Sequence, residues 1–427
     1  MNPTSLSPPL PTVWLGWDWS DKEHVLWLET QSAQETITLA NKVETLQDFF
    51  ASLAVRFPNQ KIAVGVESTR SLLVPTLMRY DFLLIYLINP KSAAQYREMF
   101  HPSGVKNDFV DARCHCQMVR THAGELRLWQ PHDAATRELT LLCEDRRQMV
   151  DVRTKLANML QQELKTAFPG LLDLVGNDLT SSLAAAVLTK WPSLAEAQQA
   201  GKARLRKFFY AHGYRRVDIL EERLERLPKA RPVSDHPEDV RPARLRVLVL
   251  ARQIALMCTT IKEYDENLKR ALAAHPNCPV VQNLPGAALQ FKSRLAAAFG
   301  TQKDRYGSAE ALSSYVGVAP IQRQSGKTKI TLARWIRPIF LHQTFVEFAR
   351  SSTKKCDWAS QFYETKLKDG FTIYQAARAL AFKWQRILFV CWRDGVPYDE
   401  AKYLKSLKKK NSPYWVDPTL SVDAKPM

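Results

Sequence analysis

Apolar stretches alternate with short polar breaks in the amino-terminal part of the chain. Residues 13–18, 24–29 and 35–39 are short runs typical of β-strands, and the third alternates with a period of two. Residues 43–55 have the amphipathic periodicity of a helix. The pattern then predicts a strand at 61–66, a helix at 71–78 and a strand at 82–88. The expected order is therefore a meander of three strands, followed by helix, strand, helix and strand.

This order of elements is typical of a ribonuclease-H-like α/β domain. In such a domain Asp18 lies on the first strand, and Glu67 follows the strand after the first helix. Asp108 and Asp111 are three residues apart, so a helix carries both carboxylates on one face. We expect the four acids to converge, as in sites where two cations about 4 Å apart stabilise phosphoryl transfer. Each acid also has a plainer interpretation, because Asp18 can merely end a strand, Glu67 can cap a helix, and Asp108 and Asp111 can face water.

Long helical patterns occupy the middle of the chain. Residues 136–168 and 245–274 predict two long helices that pair as an antiparallel coiled coil. Between them the pattern predicts shorter helices at 171–191 and 193–210 and a proline-rich linker or hairpin at 226–242.

Cations and aromatic residues interleave from Lys202 to Tyr210 and again from Tyr214 to Arg216. One interpretation is a nucleic-acid surface, on which cations hold phosphates and aromatic rings stack on bases. The other is that Phe208 and Phe209 belong to the core and the cations only solvate the outer face. The sequence leaves both open.

The carboxyl-terminal part is predicted to be mainly helical, with helices at 293–299, 308–315, 334–350 and 374–392. Ser325 interrupts this pattern in a Gln-Ser-Gly turn flanked by Arg323, Lys327 and Lys329. A serine hydroxyl attacks only when a base or cation activates it, and these cations suit a phosphodiester. The alternative is an ordinary surface turn.

The chain is too long, at 427 residues, for a single core, and it divides by pattern into four segments. We predict an α/β catalytic domain at 12–130, a helical coiled-coil region at 131–275, a mainly α-helical domain with the serine at 276–405, and a flexible tail at 406–427.

The chain carries 60 Lys and Arg against 43 Asp and Glu, a formal net charge of +17. Such a balance indicates a polyanionic partner, and nucleic acid is favoured over a membrane because no apolar run is long enough to cross a bilayer. The amino terminus lacks the regions of a signal peptide, so we expect a cytoplasmic protein. The 7 cysteines argue against a disulfide framework, and Cys114-His115-Cys116 has no second ligand pair for zinc, which favours reduced cysteines on a helix.

Taken together, these features resemble the DEDD insertion-sequence transposases, a recombinase family that includes the Piv-type DNA invertases. The amino-terminal resemblance, to a RuvC-like domain, is carried by Gly16-Trp-Asp18, Gly65-Val-Glu67-Ser-Thr, Ile88-Asn-Pro90 and Lys106-Asn-Asp108-Phe-Val-Asp111-Ala-Arg113. The carboxyl-terminal resemblance, to a transposase domain, is carried by Leu284-Pro-Gly286, Tyr315-Val-Gly-Val-Ala-Pro320, Ser325-Gly326 and Asp394-Gly-Val-Pro-Tyr398. The chain departs from the family at two places. The usual Pro-Gly-Ile-Gly is here Pro285-Gly-Ala-Ala288, and the 169–242 region is longer than expected for the family.

The resemblance implies that Asp18, Glu67, Asp108 and Asp111 form a tetrad that binds Mg²⁺ or Mn²⁺. It implies that Ser325 is a nucleophile that forms a transient phosphoserine link to a cut DNA strand. The implied partners are donor and target DNA, a structured guide RNA (the bridge RNA) and further copies of the chain in a dimer or tetramer. The implied location is the prokaryotic cytoplasm, at the nucleoid.

Two other functions fit parts of the sequence. A RuvC-like junction nuclease would use the same acids and a metal-activated water, with no covalent step. A non-catalytic nucleic-acid-binding protein would need the charge but not the acids, and the presence of all four acids disfavours it.

Overall fold

The computed structural model describes residues 11–67, 76–100, 107–126, 128–335 and 337–416. Contacts divide the chain into two compact units, one up to Pro131 and the other from His132 onward. The second unit contains two separate hydrophobic cores. The predicted boundary between residues 275 and 276 stays a prediction.

The first unit is built on a five-stranded mixed sheet in the order β3-β2-β1-β4-β5. Its strands are β1 (Val13–Trp19), β2 (Glu23–Thr30), β3 (Gln34–Ala40), β4 (Ile62–Val66) and β5 (Leu83–Leu87). Strands β1, β2 and β3 form an antiparallel meander, whereas β4 and β5 run parallel to β1. This mixed α/β arrangement is consistent with the ribonuclease-H-like domain that the sequence predicts.

Three helices accompany this sheet within the described residues: α1 (Val43–Arg56), α2 (Pro90–Phe100) and α3 (Asp108–His122). Helix α1 buries Leu46, Phe50 and Leu53 in one core of the unit. The predicted helix at 71–78 falls mainly on residues 71–75, which lie outside the described residues. Helix α2 was not predicted.

In the second unit, two long helices pair in antiparallel fashion, as the sequence predicts. They are α4 (Ala134–Ala167) and α9 (Pro237–Ala274), joined near their opposite ends by the ion pairs Arg146–Asp265, 2.7 Å, and Arg246–Glu163, 3.2 Å. Pro242 lies inside α9, so the predicted linker at 226–242 is shorter than expected. A proline this close to a helix start removes only one backbone hydrogen bond.

Four helices fold against this pair: α5 (Pro169–Val175), α6 (Ser182–Lys190), α7 (Leu194–Ala211) and α8 (Val217–Arg226), with a 3₁₀ turn at Leu227–Lys229. The single helix predicted at 171–191 is wrong, because α5 ends at Gly176, whose φ of 80° leaves the helical region.

The remainder of the second unit is helical except for one hairpin, among the residues described. Its helices are α10 (Cys278–Val281), α11 (Leu289–Phe299), α12 (Ala309–Val316), α13 (Ile339–Ser352), α14 (Asp357–Lys368), α15 (Ile373–Asp394) and α16 (Glu400–Lys409). The hairpin consists of β6 (Ile321–Ser325) and β7 (Thr328–Leu332). Trp358, Trp384 and Trp392 are fully buried around α15 and anchor this core. Helix α16 continues through the start of the predicted tail, and residues 417–427 lie outside the described residues.

Candidate active site

Two glycines let helix α3 lie directly on the sheet of the first unit. Gly16 of β1 is in register with Gly65 of the parallel strand β4. A Cβ atom at Gly16 would overlap the carbonyl oxygen of Ala112, and one at Gly65 would lie 2.7 Å from the carbonyl oxygen of His115. Because even a methyl group has no room at either position, α3 sits at backbone distance from both strands.

The same register places two acids beside the start of α3. Asp18 is two residues after Gly16, and Glu67 is two residues after Gly65. Side chains two apart along a strand point to the same face, so both carboxylates lie on the face that α3 covers. They are at the carboxyl ends of adjacent parallel strands.

Asp108 and Asp111 occupy the first turn of α3. Asn107 caps this helix, since its side chain accepts a hydrogen bond from the backbone N–H of Val110 at 2.8 Å. Acidic side chains in a first turn are stabilised by the positive end of the helix dipole. Local structure therefore favours both acids at this place without any ligand.

The other three acids act electrostatically on Asp18. Partial burial is the largest cause that raises the pKa of Asp18 to about 6. The negative charges of Asp108, Asp111 and Glu67 raise it further, whereas His115 lowers it. All three other acids therefore lie close enough to act on the Asp18 carboxyl.

His115 is a site residue that sequence reasoning did not select. It is buried on α3, its Nδ1 lies 3.0 Å from the backbone oxygen of Trp17, and its Nε2 lies 3.1 Å from Oε1 of Glu67. This imidazole ties the end of β1 to Glu67. The available signal was spacing, because His115 is one helical turn after Asp111.

Arg97 is the second unforeseen residue of the site. It lies on α2, and its Nη1 donates to Oδ1 of Asp111, with both side chains more than 80% buried.

The neighbouring Cys114 and Cys116 are buried free thiols, and burial raises the pKa of each. None of the seven cysteines, all of which are described, forms a disulfide in the structure.

Carboxylate oxygens are the donors that hard divalent cations such as Mg²⁺ prefer. The chemistry of the four acids fits such a cation, and their mutual repulsion at Asp18 is what a cation relieves. The side chains do not adopt a metal-binding arrangement in the structure. Across the described residues, no three His, Cys, Asp or Glu side chains are grouped tightly enough to hold a metal ion. Arg97 and His115 instead engage Asp111 and Glu67.

Ser325 lies in the second unit, at the end of β6. Ser325 pairs with Thr328 across a two-residue turn that contains Gly326, whose φ is 56°. Ser325, Arg323, Lys327 and Lys329 are all exposed, as is nearly the whole hairpin. The structure thus presents the hydroxyl among cations on a protruding hairpin, in a different unit from the acids.

The segment from Lys202 to Tyr214 does not form a stacking surface. Phe209 is buried, and Phe208 packs on the ring of Trp191 with centroids 5.0 Å apart. Lys202 and Arg206 pair with Glu225 and Glu221 of α8. The structure supports the interpretation that the aromatic rings belong to the core.

Comparisons with known proteins match both ends of the chain. Residues 15–169 match the IS110-type DEDD transposase family, and residues 278–364 match the family described as transposase IS116/IS110/IS902. The first segment contains all four acids, and the second contains Ser325.

Three relatives are similar over most of their length. The mini-circle protein of Streptomyces coelicolor named as the transposase for IS117 is 25% identical over 403 residues, which cover 92% of this chain and 96% of the relative. The 43.6 kDa protein of insertion element IS110 from the same organism is 24% identical, with 84% and 88% covered. The 42 kDa protein of insertion element IS900 from Mycobacterium paratuberculosis is 23% identical, with 91% and 98% covered.

The fold, the order of the acids and these matches agree with the resemblance that the sequence motifs indicate. The chain belongs to the IS110 family of DEDD transposases.

Proposed function

We propose that this transposase breaks and rejoins DNA with the cluster of Asp18, Glu67, Asp108 and Asp111. The observation that supports it most strongly is the register of β1 and β4, which places Asp18 and Glu67 at the ends of adjacent parallel strands beneath α3, whose first turn carries Asp108 and Asp111. These acids would hold Mg²⁺ or Mn²⁺, which supplies charge stabilisation to the attacking and leaving oxygens of a phosphodiester.

The surrounding residues hold the acids in place. His115 fixes the Glu67 carboxylate against the end of β1, and Arg97 fixes Asp111 from α2. Arg97 also neutralises part of the negative charge of the cluster, which limits repulsion before a cation or DNA arrives.

Ser325 is the proposed nucleophile. Its hydroxyl oxygen would attack the phosphorus of one phosphodiester, which forms a serine–phosphate bond and releases the DNA hydroxyl as leaving group. A DNA hydroxyl attacking the same phosphorus reverses the step, releases the serine and joins the new strand. The exposed hairpin with Arg323, Lys327 and Lys329 supports this role, since it can bring the hydroxyl to a phosphate.

The test is the covalent adduct. Wild-type protein incubated with DNA that carries the element ends should form a protein–DNA species that survives denaturing electrophoresis, and Ser325→Ala should form none. Thr328→Val, which removes the hydroxyl opposite Ser325 in the hairpin, is the control and should retain the adduct. If Ser325→Ala cuts DNA as wild type does, the alternative of a junction nuclease that uses water is correct.

The acids and the serine lie in different units of the chain, which supports a centre completed between copies in a dimer or tetramer. Mixing Ser325→Ala with Asp111→Asn protein should then restore adducts that neither variant forms alone. Adduct formation that mixing does not restore would contradict a shared centre.

Donor and target DNA are the proposed substrates, and a structured RNA from the element is the proposed guide. The net charge of +17 supports a nucleic-acid partner. Across the described residues, no helix combines the length and apolar character needed to cross a membrane. We place the protein at the nucleoid of a prokaryotic cell. Sequencing the RNA that co-purifies with the protein tests the guide, because element-derived RNA should be enriched over cellular RNA.

A further inference from the structure

Three arginines and a histidine lie at the base of the hairpin that carries Ser325. Arg334 and Arg337 lie between β7 and α13, His342 is on α13, and Arg378 is on α15. We call these four residues the arginine cluster. All four side chains are partly buried.

Backbone and hydroxyl groups hold the arginine cluster in position. The Nη1 of Arg337 donates to the backbone oxygen of Arg334, and Nη2 of Arg334 lies 3.4 Å from Oγ of Ser314. The stem of Arg337 packs against Gly317, where an added Cβ would lie 2.6 Å from the Cβ of Arg337. The guanidinium groups are thus fixed by neutral partners.

Within the part of the chain that the structure describes, no carboxylate forms an ion pair with Arg334, Arg337 or Arg378. Other arginines of this unit do have such partners, as in Arg294–Glu347 at 2.8 Å and Arg386–Glu310 at 3.2 Å. The cluster therefore holds several positive charges together without an anion.

The electrostatic consequence is visible in two members. Burial, and then the charge of Arg337, lowers the pKa of the Arg378 guanidinium. Burial, followed by Arg337 and Arg378, lowers the pKa of His342 to about 4, so this imidazole is neutral at pH 7. Cations that repel each other in a partly buried place are costly unless an anion compensates them.

The buried Nε–H of Arg334 also has no hydrogen-bond acceptor among the described residues. Buried polar atoms are usually paired, and unpaired ones often mark a place where a ligand supplies the partner. Planar guanidinium groups are well suited to the oxygens of a phosphate.

We propose that Arg334, Arg337 and Arg378, beside the neutral His342, form a binding site for a backbone phosphate of the DNA strand that approaches Ser325. This proposal rests on the function proposed above. It adds that the protein binds a second phosphate of the same DNA, one that does not react. The five-residue strand β7, about 14 Å long, lies between the Ser325 turn and the start of the cluster, which is farther than one nucleotide step along a strand. The cluster therefore binds a different phosphate from the one that Ser325 attacks and sets the register of the strand.

The test measures DNA binding by full-length protein in the Ser325→Ala background, so that no chemistry is needed for the readout. Arg378→Gln should weaken binding about tenfold at physiological salt. It should also reduce the slope of log affinity against log salt by about one. Arg378→Lys should keep most of the salt slope, because it retains the charge. Arg393→Gln is the matched control, since Arg393 is an exposed arginine on the same helix that already pairs with Asp394 at 2.8 Å.

A second measurement does not depend on the variants folding. Wild-type protein treated with an arginine-specific dicarbonyl reagent should be protected at Arg337 and Arg378 by duplex DNA, as mapped by mass spectrometry, and Arg393 should not be protected. Equal binding by Arg378→Gln and Arg393→Gln would overturn the proposal. Protection by a polyglutamate peptide but not by DNA would also overturn it and assign the cluster to an acidic protein. If the Ser325→Ala protein still forms the adduct, only the serine mechanism is refuted. The binding and protection measurements then still test the arginine cluster, because they require no covalent step.

Discussion

Gly16 and Gly65 are register partners on adjacent parallel strands, and both lie beneath helix α3. Each glycine precedes an acid by two residues, so Asp18 and Glu67 lie on the same face of the sheet as the glycines, the face that α3 covers. The same glycine–acid spacing therefore occurs on both strands beneath the helix. Asp18 and Asp111 are 93 positions apart in the chain, yet the charge of Asp111 acts on the Asp18 carboxyl and raises its pKa.

The first prediction concerns Gly16→Ala. The added methyl group overlaps the backbone of α3 at Ala112, and backbone cannot rotate away as a side chain can. We expect a loss of about 1–3 kcal/mol in the free energy of unfolding, or a shifted helix. DNA cleavage should fall with it, because α3 carries Asp108 and Asp111. Gly124→Ala is the control, since a Cβ there meets nothing within 4 Å. Equal urea midpoints for the two variants would show that α3 does not need this close approach.

The second prediction concerns His115→Asn, which removes the hydrogen bond to Glu67. Loss of a group that orients a metal ligand typically costs about 10- to 100-fold in metal affinity or activity. We therefore expect the Mg²⁺ concentration for half-maximal DNA cleavage to rise by that order. A residue with only a structural role would lower the amount of active protein without shifting this concentration. His122→Asn, on the exposed end of the same helix, should leave the Mg²⁺ dependence unchanged.

The third prediction concerns the pH dependence of stability in the second unit. Asp133 caps α4 by accepting from the backbone N–H of Thr136 at 3.0 Å, and it also accepts from the hydroxyls of Thr136 and Thr301, each at 2.6 Å. Burial alone would raise the pKa of Asp133, but these hydrogen bonds outweigh burial and hold it well below the ordinary value. A depressed pKa contributes stability that is complete above the unfolded pKa of about 3.9 and is lost as pH falls toward the folded pKa.

Asp133→Ala should therefore unfold at lower urea than wild type at pH 7, by an amount on the order of 2 kcal/mol. The difference should stay constant down to about pH 5 and shrink below about pH 4. Asp399→Ala removes a cap with one backbone hydrogen bond, to Lys402 at 3.0 Å, and should cost about half as much. A difference that grows on acidification would show that the sign of the linkage is wrong.

Much of the first unit follows from sequence because its strands alternate or are wholly apolar and end at polar breaks. The positions of Asp18 and Glu67 also follow from strand order, since parallel neighbours present their carboxyl ends at one edge. The convergence of all four acids on one cation stays a prediction. Helix α2 was missed because Pro90 indicates the end of a strand, yet proline also fits the first turn of a helix. With that helix unknown, Arg97 had no place in the site.

Contacts between distant segments explain the other omissions. His115 meets Glu67 across 48 residues, and nothing in its own Cys-His-Cys context points to that contact. In the second unit, the mostly polar run from Gly176 to Ser182 marks the break between α5 and α6, and the single helix predicted at 171–191 overlooked this turn signal. The arginine cluster likewise combines residues from two helices and a loop, and only the folded chain shows that no described carboxylate pairs with its arginines.

The most direct test of the acid cluster is DNA cleavage by Asp18→Asn, measured alongside DNA binding by the same protein. Asn is close to Asp in size and removes the carboxylate on which the charges of Asp108, Asp111 and Glu67 act. Cleavage should fall by more than the roughly 100-fold expected when a residue that only orients a metal ligand, such as His115, is lost. DNA affinity should change little. Asp21→Asn, an exposed position in the turn after β1, should cut DNA as wild type does. Cleavage by Asp18→Asn at the rate of Asp21→Asn would contradict the assignment of these acids as the catalytic centre.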